Sequence, residues 1–253
     1  MHRFYCPESN FQDRKVVITD PKELHHLRNV LRLKKGDTLM IFNNQGEEAT
    51  GRVDTLQPAK ATVVIESVRK ESADLPVMLL ACAVPKKSKF EWIIEKATEL
   101  GVDEIIPLQT KRTEIDLKGD RLAKKIVRYQ DVAVNAAKQS GRLRVPVIHP
   151  VTDLAMVLKF FPEGTTVFIP SLSGERKNIL EAFKAVPSPS RVAFLIGPEG
   201  DFTPQEYDLA RARGCVAVSL GETVLKVETA AITAVACASL FYFGLRAGQD
   251  RHA

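Results

Sequence analysis

The sequence predicts an α/β protein in two parts, a small β-barrel followed by a larger domain built on a mostly parallel sheet. Three observations carry this. Short apolar runs with turns between them fill residues 1–70, and strands alternate with helices from residue 77 onwards. Between the two textures, residues 69–76 (Arg-Lys-Glu-Ser-Ala-Asp-Leu-Pro) combine charge with a proline. The domains are therefore placed at 1–70 and 77–253, with a linker at 71–76.

In the first part, Val16 to Ile18, Thr38 to Phe42, Gly51 to Val53 and Ala61 to Ile65 read as strands, and Asn43-Asn44-Gln45-Gly46 as a hairpin turn. One helix interrupts them. Asp20 is a good N-cap, Pro21 suits the first helical position and Glu23 completes a capping box. Leu24, Leu27, Val30 and Leu31 then share a face, and Lys34-Lys35-Gly36-Asp37 closes the helix.

In the second part, strands are predicted at 77–84, 105–108, 146–148, 166–169, 191–196 and 216–220. Helices are predicted at 89–100, 121–139, 152–160, 177–184, 204–213 and 227–243. Such alternation gives a parallel sheet covered on both faces. The run between Glu228 and Arg246 has no charge, but it is short of the roughly 20 residues a bilayer requires and predicts a buried helix. Trp92 and Tyr129 fall in helical patterns and are expected in the core.

The composition is that of a soluble globular protein: 45% hydrophobic, 26% charged, net charge +5. Cys6, Cys82, Cys215 and Cys237 form no CxxC pair, and the five histidines show no metal-ligand spacing, so neither a metal site nor a disulfide framework is expected. No signal region opens the chain, which suits a cytoplasmic protein. There is no P-loop, no early G-x-G-x-x-G and no G-x-S-x-G elbow. Ligands of open α/β sheets sit outside the strand carboxyl ends, here near Pro170, Gly197 and Leu220-Gly221.

Positive charge is concentrated. Residues 111–144 hold ten Lys and Arg against four Asp and Glu, a net of +6. Arg121, Lys125 and Arg128 lie on one helical face, and Arg28, Arg32, Lys34 and Lys35 form a second cluster in the first domain. Two basic surfaces suit binding to a phosphate backbone.

The most informative stretches are Gly197-Pro198-Glu199-Gly200-Asp201-Phe202 and Leu220-Gly221 through Leu225-Lys226-Val227-Glu228-Thr229-Ala230. The first resembles the GPEGGF loop, and the second the LG-x-x-x-LR-x-ETA motif, of the SPOUT methyltransferases that act on ribosomal RNA. Glu95-Lys96-Ala97-Thr98-Glu99-Leu100-Gly101-Val102, Gln139-Ser140-Gly141-Arg142 and His25-His26-Leu27-Arg28-Asn29-Val30-Leu31-Arg32 also match, so the resemblance covers nearly the whole chain. It implies a PUA-like barrel, a C-terminal deep trefoil knot, a homodimer, and S-adenosylmethionine held in the knot. The implied reaction is methylation of uridine N3 in 16S rRNA of the small ribosomal subunit. Three positions depart from the motifs: Asp201 replaces a glycine, Lys226 an arginine, and Thr223 stands where another arginine is common. Lysine keeps the charge but loses the planar fork.

On this basis the cofactor contacts are assigned to Pro170, Ile196, Gly197, Pro198, Gly200, Leu220, Gly221, Val224, Leu225 and Thr229. Glycine admits close approach of backbone polar groups to the adenine and ribose, and the aliphatic residues supply apolar walls. Glu199 and Lys226 are the candidate catalytic groups. A desolvated Glu199 with a raised pKa would accept the N3 proton; a solvated or capping carboxylate is the other reading. Glu228 opens the last helix and offsets its dipole. RNA contacts are assigned to Arg3, Arg28, Arg32, Lys34, Arg112, Arg121, Lys125 and Arg142. Two other readings stay open from sequence: ribose 2′-O-methylation, and a non-catalytic RNA-binding role in ribosome assembly.

Overall fold

A computed structural model of the chain describes residues 2–71, 76–86, 89–113, 120–172 and 174–249. Linker residues 72–75 lie outside these, as do Lys118, Glu114 and Asp116 of the basic segment. The chain forms two compact units, residues 1–73 with 137–145, and residues 74–136 with 146–253.

The first unit is a five-stranded sheet of β1 (Arg3–Tyr5), β2 (Lys15–Ile18), β3 (Thr38–Phe42), β4 (Glu47–Leu56) and β5 (Ala61–Lys70), in the order β1-β3-β4-β5-β2. β1 runs parallel to β3, and the other pairings are antiparallel. The β3–β4 turn forms as expected, with Asn43 Oδ1 accepting the Gln45 and Glu47 N–H groups at 3.0 and 3.3 Å. Strand alternation puts Val16 and Ile18 inside with Phe4, Leu39, Ile41 and Val63.

α1 (Pro21–His25) begins as the sequence indicates, with the Asp20 side chain accepting the Glu23 N–H at 2.9 Å. The next turn, His26–Val30, is π-helical. A wider turn rotates the succeeding residues around the helix axis. Leu24 and Leu27 stay in the core, whereas Val30, expected on their face, is 57% exposed.

Residues 137–145 belong to this unit through Arg3. Its Nε donates to Glu48 at 2.8 Å, Nη1 to the carbonyls of Ala137 and Lys138, and Nη2 to the carbonyl of Arg142 and to Glu48. A guanidinium has five N–H donors, and five acceptor contacts engage them. Arg3 is thus a structural residue, and its assignment to RNA is corrected.

The second unit holds an eight-stranded parallel sheet. Its strands are β6 (Val77–Ala83), β7 (Glu104–Gln109), β8 (Val147–Ile148), β9 (Thr152–Asp153), β10 (Thr165–Pro170), β11 (Lys177–Asn178), β12 (Arg191–Ile196) and β13 (Val216–Ser219). The order is β11-β13-β10-β12-β6-β7-β8, with β9 also pairing with β7. Thus β10 lies between β12 and β13, and the carboxyl ends at Pro170, Ile196 and Ser219 are neighbours.

The helices are α2 (Lys89–Glu99), α3 (Asp120–Ser140), α4 (Leu154–Phe160), α5 (Ile179–Lys184), α6 (Pro204–Ala212) and α7 (Val227–Gln249). α4 and α5 start later than expected because Asp153 and Asn178 are their N-caps, accepting the N–H groups of Met156 and Leu180. The residue pairs 152–153 and 177–178 are released to the sheet.

α7 buries Ala231, Ala234, Val235 and Ala238 along one stripe, but Leu240 is 75% exposed, so the helix is half-buried rather than enclosed. No helix among the described residues is long and apolar enough to cross a membrane. Tyr129 is in the core against Phe90, with ring centroids 5.0 Å apart. Trp92, expected there too, is 46% exposed. It falls outside the apolar stripe of α2 formed by Phe90, Ile93, Ile94 and Ala97.

Candidate functional site

A cleft of about 420 Å³ opens where β10, β12 and β13 end. The sequence builds it by stopping three adjacent parallel strands with turn-forming residues. After β12, Pro198-Glu199-Gly200-Asp201 is a turn closed by the Asp201 N–H donating to the Pro198 carbonyl at 2.9 Å. After β13, the Ser219 hydroxyl donates to the Gly221 carbonyl at 2.9 Å and accepts the Gly221 N–H at 3.3 Å, bracing a backbone with φ +136°.

Of the expected cofactor residues, Pro170, Ile196, Gly197, Pro198, Leu220, Gly221, Val224 and Leu225 line this cleft. Gly200 and Thr229 are not among the lining residues. Gly200 lies instead beneath Arg112, whose Nη1 donates to its carbonyl. A Cβ at Gly197 would come within 3.1 Å of the Phe202 ring, so Gly197 serves packing at the cleft wall.

Both catalytic candidates line the cleft. Lys226 is exposed. Glu199 is also exposed, and one of its carboxylate oxygens accepts the Lys86 N–H at 3.2 Å. The turn projects Glu199 from the strand end, so its side chain stands exposed at the cleft.

Residues the sequence reading missed also line the cleft. Ser171, Leu172 and Arg176 come after Pro170, and their signal was their place beyond a strand end. Lys89, at the start of α2, sits 2.7 Å from Glu228. Burial, the largest influence, acts to raise the Glu228 carboxyl, but the Lys89 hydrogen bond, a backbone hydrogen bond and the charges of Lys89 and Lys226 together outweigh it and hold the group below the usual carboxylate range. Cys82, buried at the end of β6, has its thiol pushed well up by burial and then by the charges of Glu199 and Glu228, which converge on this strand end. Among the described residues no group of His, Cys, Asp or Glu is placed to hold a metal ion.

Of the expected RNA residues, Arg28, Arg32, Lys34, Arg112 and Arg121 are exposed, and Lys125 and Arg142 are half-buried. Arg28 also donates to the Pro58 carbonyl at 3.0 Å. Arg128, expected to extend the basic face of α3, is bound to Glu91 at 3.0 Å.

Residues 72–239 match the family described as RNA methyltransferase domain, and residues 18–66 that described as RNA methyltransferase PUA domain. The chain is 30% identical over 223 residues to a ribosomal RNA small subunit methyltransferase E from Bacillus subtilis, covering 86% of this chain and 87% of that protein. It is 32% identical over 215 residues to one from Synechocystis, covering 85% and 69%. Its structure is similar, with a TM-score of 0.82, 29% identity and coverage of 93% and 95%, to the crystal structure of a ribosomal RNA small subunit methyltransferase E from Neisseria gonorrhoeae bound to S-adenosyl methionine.

Proposed function

Because the chain belongs to the ribosomal RNA small subunit methyltransferase E family, we propose that it methylates N3 of a uridine in 16S rRNA, with S-adenosylmethionine as donor. The observation that carries this reading is the cleft at the joined ends of β10, β12 and β13.

The cleft suits the cofactor on its own geometry. Its volume falls within the roughly 300–1,000 Å³ of small-molecule sites. Pro170, Ile196, Leu220 and Leu225 give apolar walls beside the backbone of two turns, and the space beside Gly221 is open for 4 Å. When bound, S-adenosylmethionine supplies an electrophilic methyl group on a sulfonium.

The remaining chemistry belongs to the chain. Uracil N3 has a free lone pair only after its proton leaves. Glu199 takes that proton on the carboxylate oxygen that does not accept from Lys86. The Lys226 ammonium, a point charge on a flexible stem, stabilises the uracil anion. Arg28, Arg32 and Lys34 in the PUA domain, with Arg112, Arg121, Lys125 and Arg142, hold the RNA backbone. The exposure of Arg28, Arg32, Lys34, Arg112 and Arg121 and the PUA match support the assignment. On family grounds we also infer that the cleft loops form a deep trefoil knot, that the five-stranded sheet closes as a barrel, and that the enzyme is a cytoplasmic homodimer.

The test is transfer of tritiated methyl groups to small subunits from a strain lacking this gene, with the product nucleoside mapped by mass spectrometry. The expected product is a base-methylated uridine. No transfer, or a ribose-methylated product, overturns the reading.

A further inference from the structure

We propose that Asp201 is a positioning residue for S-adenosylmethionine: through the Tyr207 hydroxyl it fastens the Pro198–Asp201 turn to the Pro170–Ser171 end of β10, fixing the width of the cleft. This rests on the reading of the cleft as the cofactor site.

Asp201 has φ +62°, a left-handed conformation that few residues other than glycine adopt, with Asp and Asn prominent among them. A glycine would satisfy the backbone equally, so the side chain must be explained by its contacts. Its Oδ1 accepts the Phe202 N–H at 2.8 Å and the Tyr207 hydroxyl at 2.7 Å. The Tyr207 oxygen lies 3.4 Å from the Pro170 carbonyl, and the Ser171 side chain hydrogen-bonds to the same hydroxyl. Pro170, Ser171 and Asp201 all line the cleft, while Tyr207 does not. One hydroxyl behind the wall therefore joins two loops that face the ligand.

The platform carrying Tyr207 is itself fixed. α6 begins with a reciprocal capping box between Thr203 and Glu206, and the other Glu206 oxygen accepts the Lys111 N–H at 2.9 Å. The Tyr207 ring meets the buried Phe202 ring edge-on at 5.6 Å. Burial and then the Asp201 carboxylate raise the Tyr207 pKa far above its ordinary value, so the hydroxyl stays a donor across the working pH range. Sites held by such supporting contacts are the ones that keep a productive geometry.

The experiment measures S-adenosylmethionine affinity by calorimetry, with steady-state kinetics, for full-length wild type, Asp201→Gly, Asp201→Asn, Tyr207→Phe and the Asp201→Gly/Tyr207→Phe double variant. Glycine keeps the turn and removes the acceptor; asparagine keeps both turn and acceptor. Asp201→Gly and Tyr207→Phe are each expected to weaken binding about tenfold, the worth of one hydrogen bond to a charged group. The double variant should be no worse than the weaker single one, and Asp201→Asn should stay within about twofold of wild type, as coupling through one shared bond requires. KM for the cofactor should rise more than kcat falls. Wild-type affinity in Asp201→Gly, additive losses in the double variant, or an Asp201→Asn as weak as Asp201→Gly overturns the inference alone. A wild-type chain that binds no S-adenosylmethionine overturns the cofactor reading as well.

Discussion

Lys138 Nζ lies 2.8 and 2.9 Å from the two carboxylate oxygens of Glu23, and the two side chains are only 16% and 9% exposed. The pair ties α1 to the end of α3 within the first unit. Burial is the largest influence on Glu23 and pushes its carboxyl up; Lys138 opposes this without reversing it. Lys138→Met should destabilise the unit by about 3–5 kcal/mol at neutral pH, because a buried carboxylate loses its partner. A carboxyl whose folded pKa is raised contributes most below its unfolded value and loses that contribution as pH rises through the folded one. Without Lys138 the folded value climbs further, so the deficit should shrink as the pH falls from 7 towards 5. Urea denaturation of variant and wild type at both pH values checks this; an equal deficit at both would contradict it.

Arg3 and Arg28 should separate structure from RNA binding. Arg3 has all its donors engaged, so even Arg3→Lys, which keeps the charge, should cost about 3 kcal/mol of stability, as breaking a buried pair does. Below its melting temperature that variant should bind RNA with an unchanged salt slope. Arg28→Ala should leave stability nearly alone and reduce the slope of log affinity against log salt by about one. Filter binding across a salt series reads both.

Legibility in the sequence depends on how local the physical cause is. Strand alternation in β2, the Asn43 turn and the Asp20 cap are decided by residues within a few positions, and they appear where expected. The cleft was legible for the same reason: Pro170 ends a strand, and Gly197 and Leu220-Gly221 each directly follow one. The failures have distant or fine causes. The π-helical turn at His26 moved Val30 off the apolar face, and no pattern of polarity encodes that extra residue. Arg3 meets three carbonyl partners more than 130 positions away and Glu48 at a separation of 45, so its sequence neighbours could not mark it as structural. The order β11-β13-β10-β12-β6-β7-β8 is likewise not written in the periodicity of any one strand.

Lys89 and Glu228 form the corresponding pair in the cleft, but Lys89 is 41% exposed and the expected effect is small. Lys89→Met should let the Glu228 carboxyl rise, since burial then acts with less opposition. A carboxyl with a depressed folded pKa contributes stability above its unfolded value and loses it as pH falls through the folded one. The stability gap between wild type and variant should therefore be about 0.5–1 kcal/mol at neutral pH and close on acidification. NMR titration of the Glu228 carboxyl carbon provides the direct measurement, and an unmoved midpoint would show that Lys89 does not control it.

Gly197 and Gly221 should respond differently to alanine, because one lacks space and the other lacks an allowed conformation. A methyl group at 197 would stand 3.1 and 3.2 Å from two carbons of the Phe202 ring, which is only 2% exposed. The ring is locked in the core, so Gly197→Ala should lose about 1–3 kcal/mol by overpacking, and cofactor affinity should fall with it. At 221 no atom lies within 4 Å of the added methyl, but φ is +136°, which a side chain rarely tolerates. Holding that conformation costs about 1–3 kcal/mol, and the exposed Gly221–Glu222 stretch can relax instead of the core. Gly221→Ala should thus weaken S-adenosylmethionine binding while leaving the melting temperature nearly unchanged. Thermal denaturation paired with calorimetry distinguishes the two, and a large melting shift in Gly221→Ala would place that turn in the folding core rather than in the binding cleft.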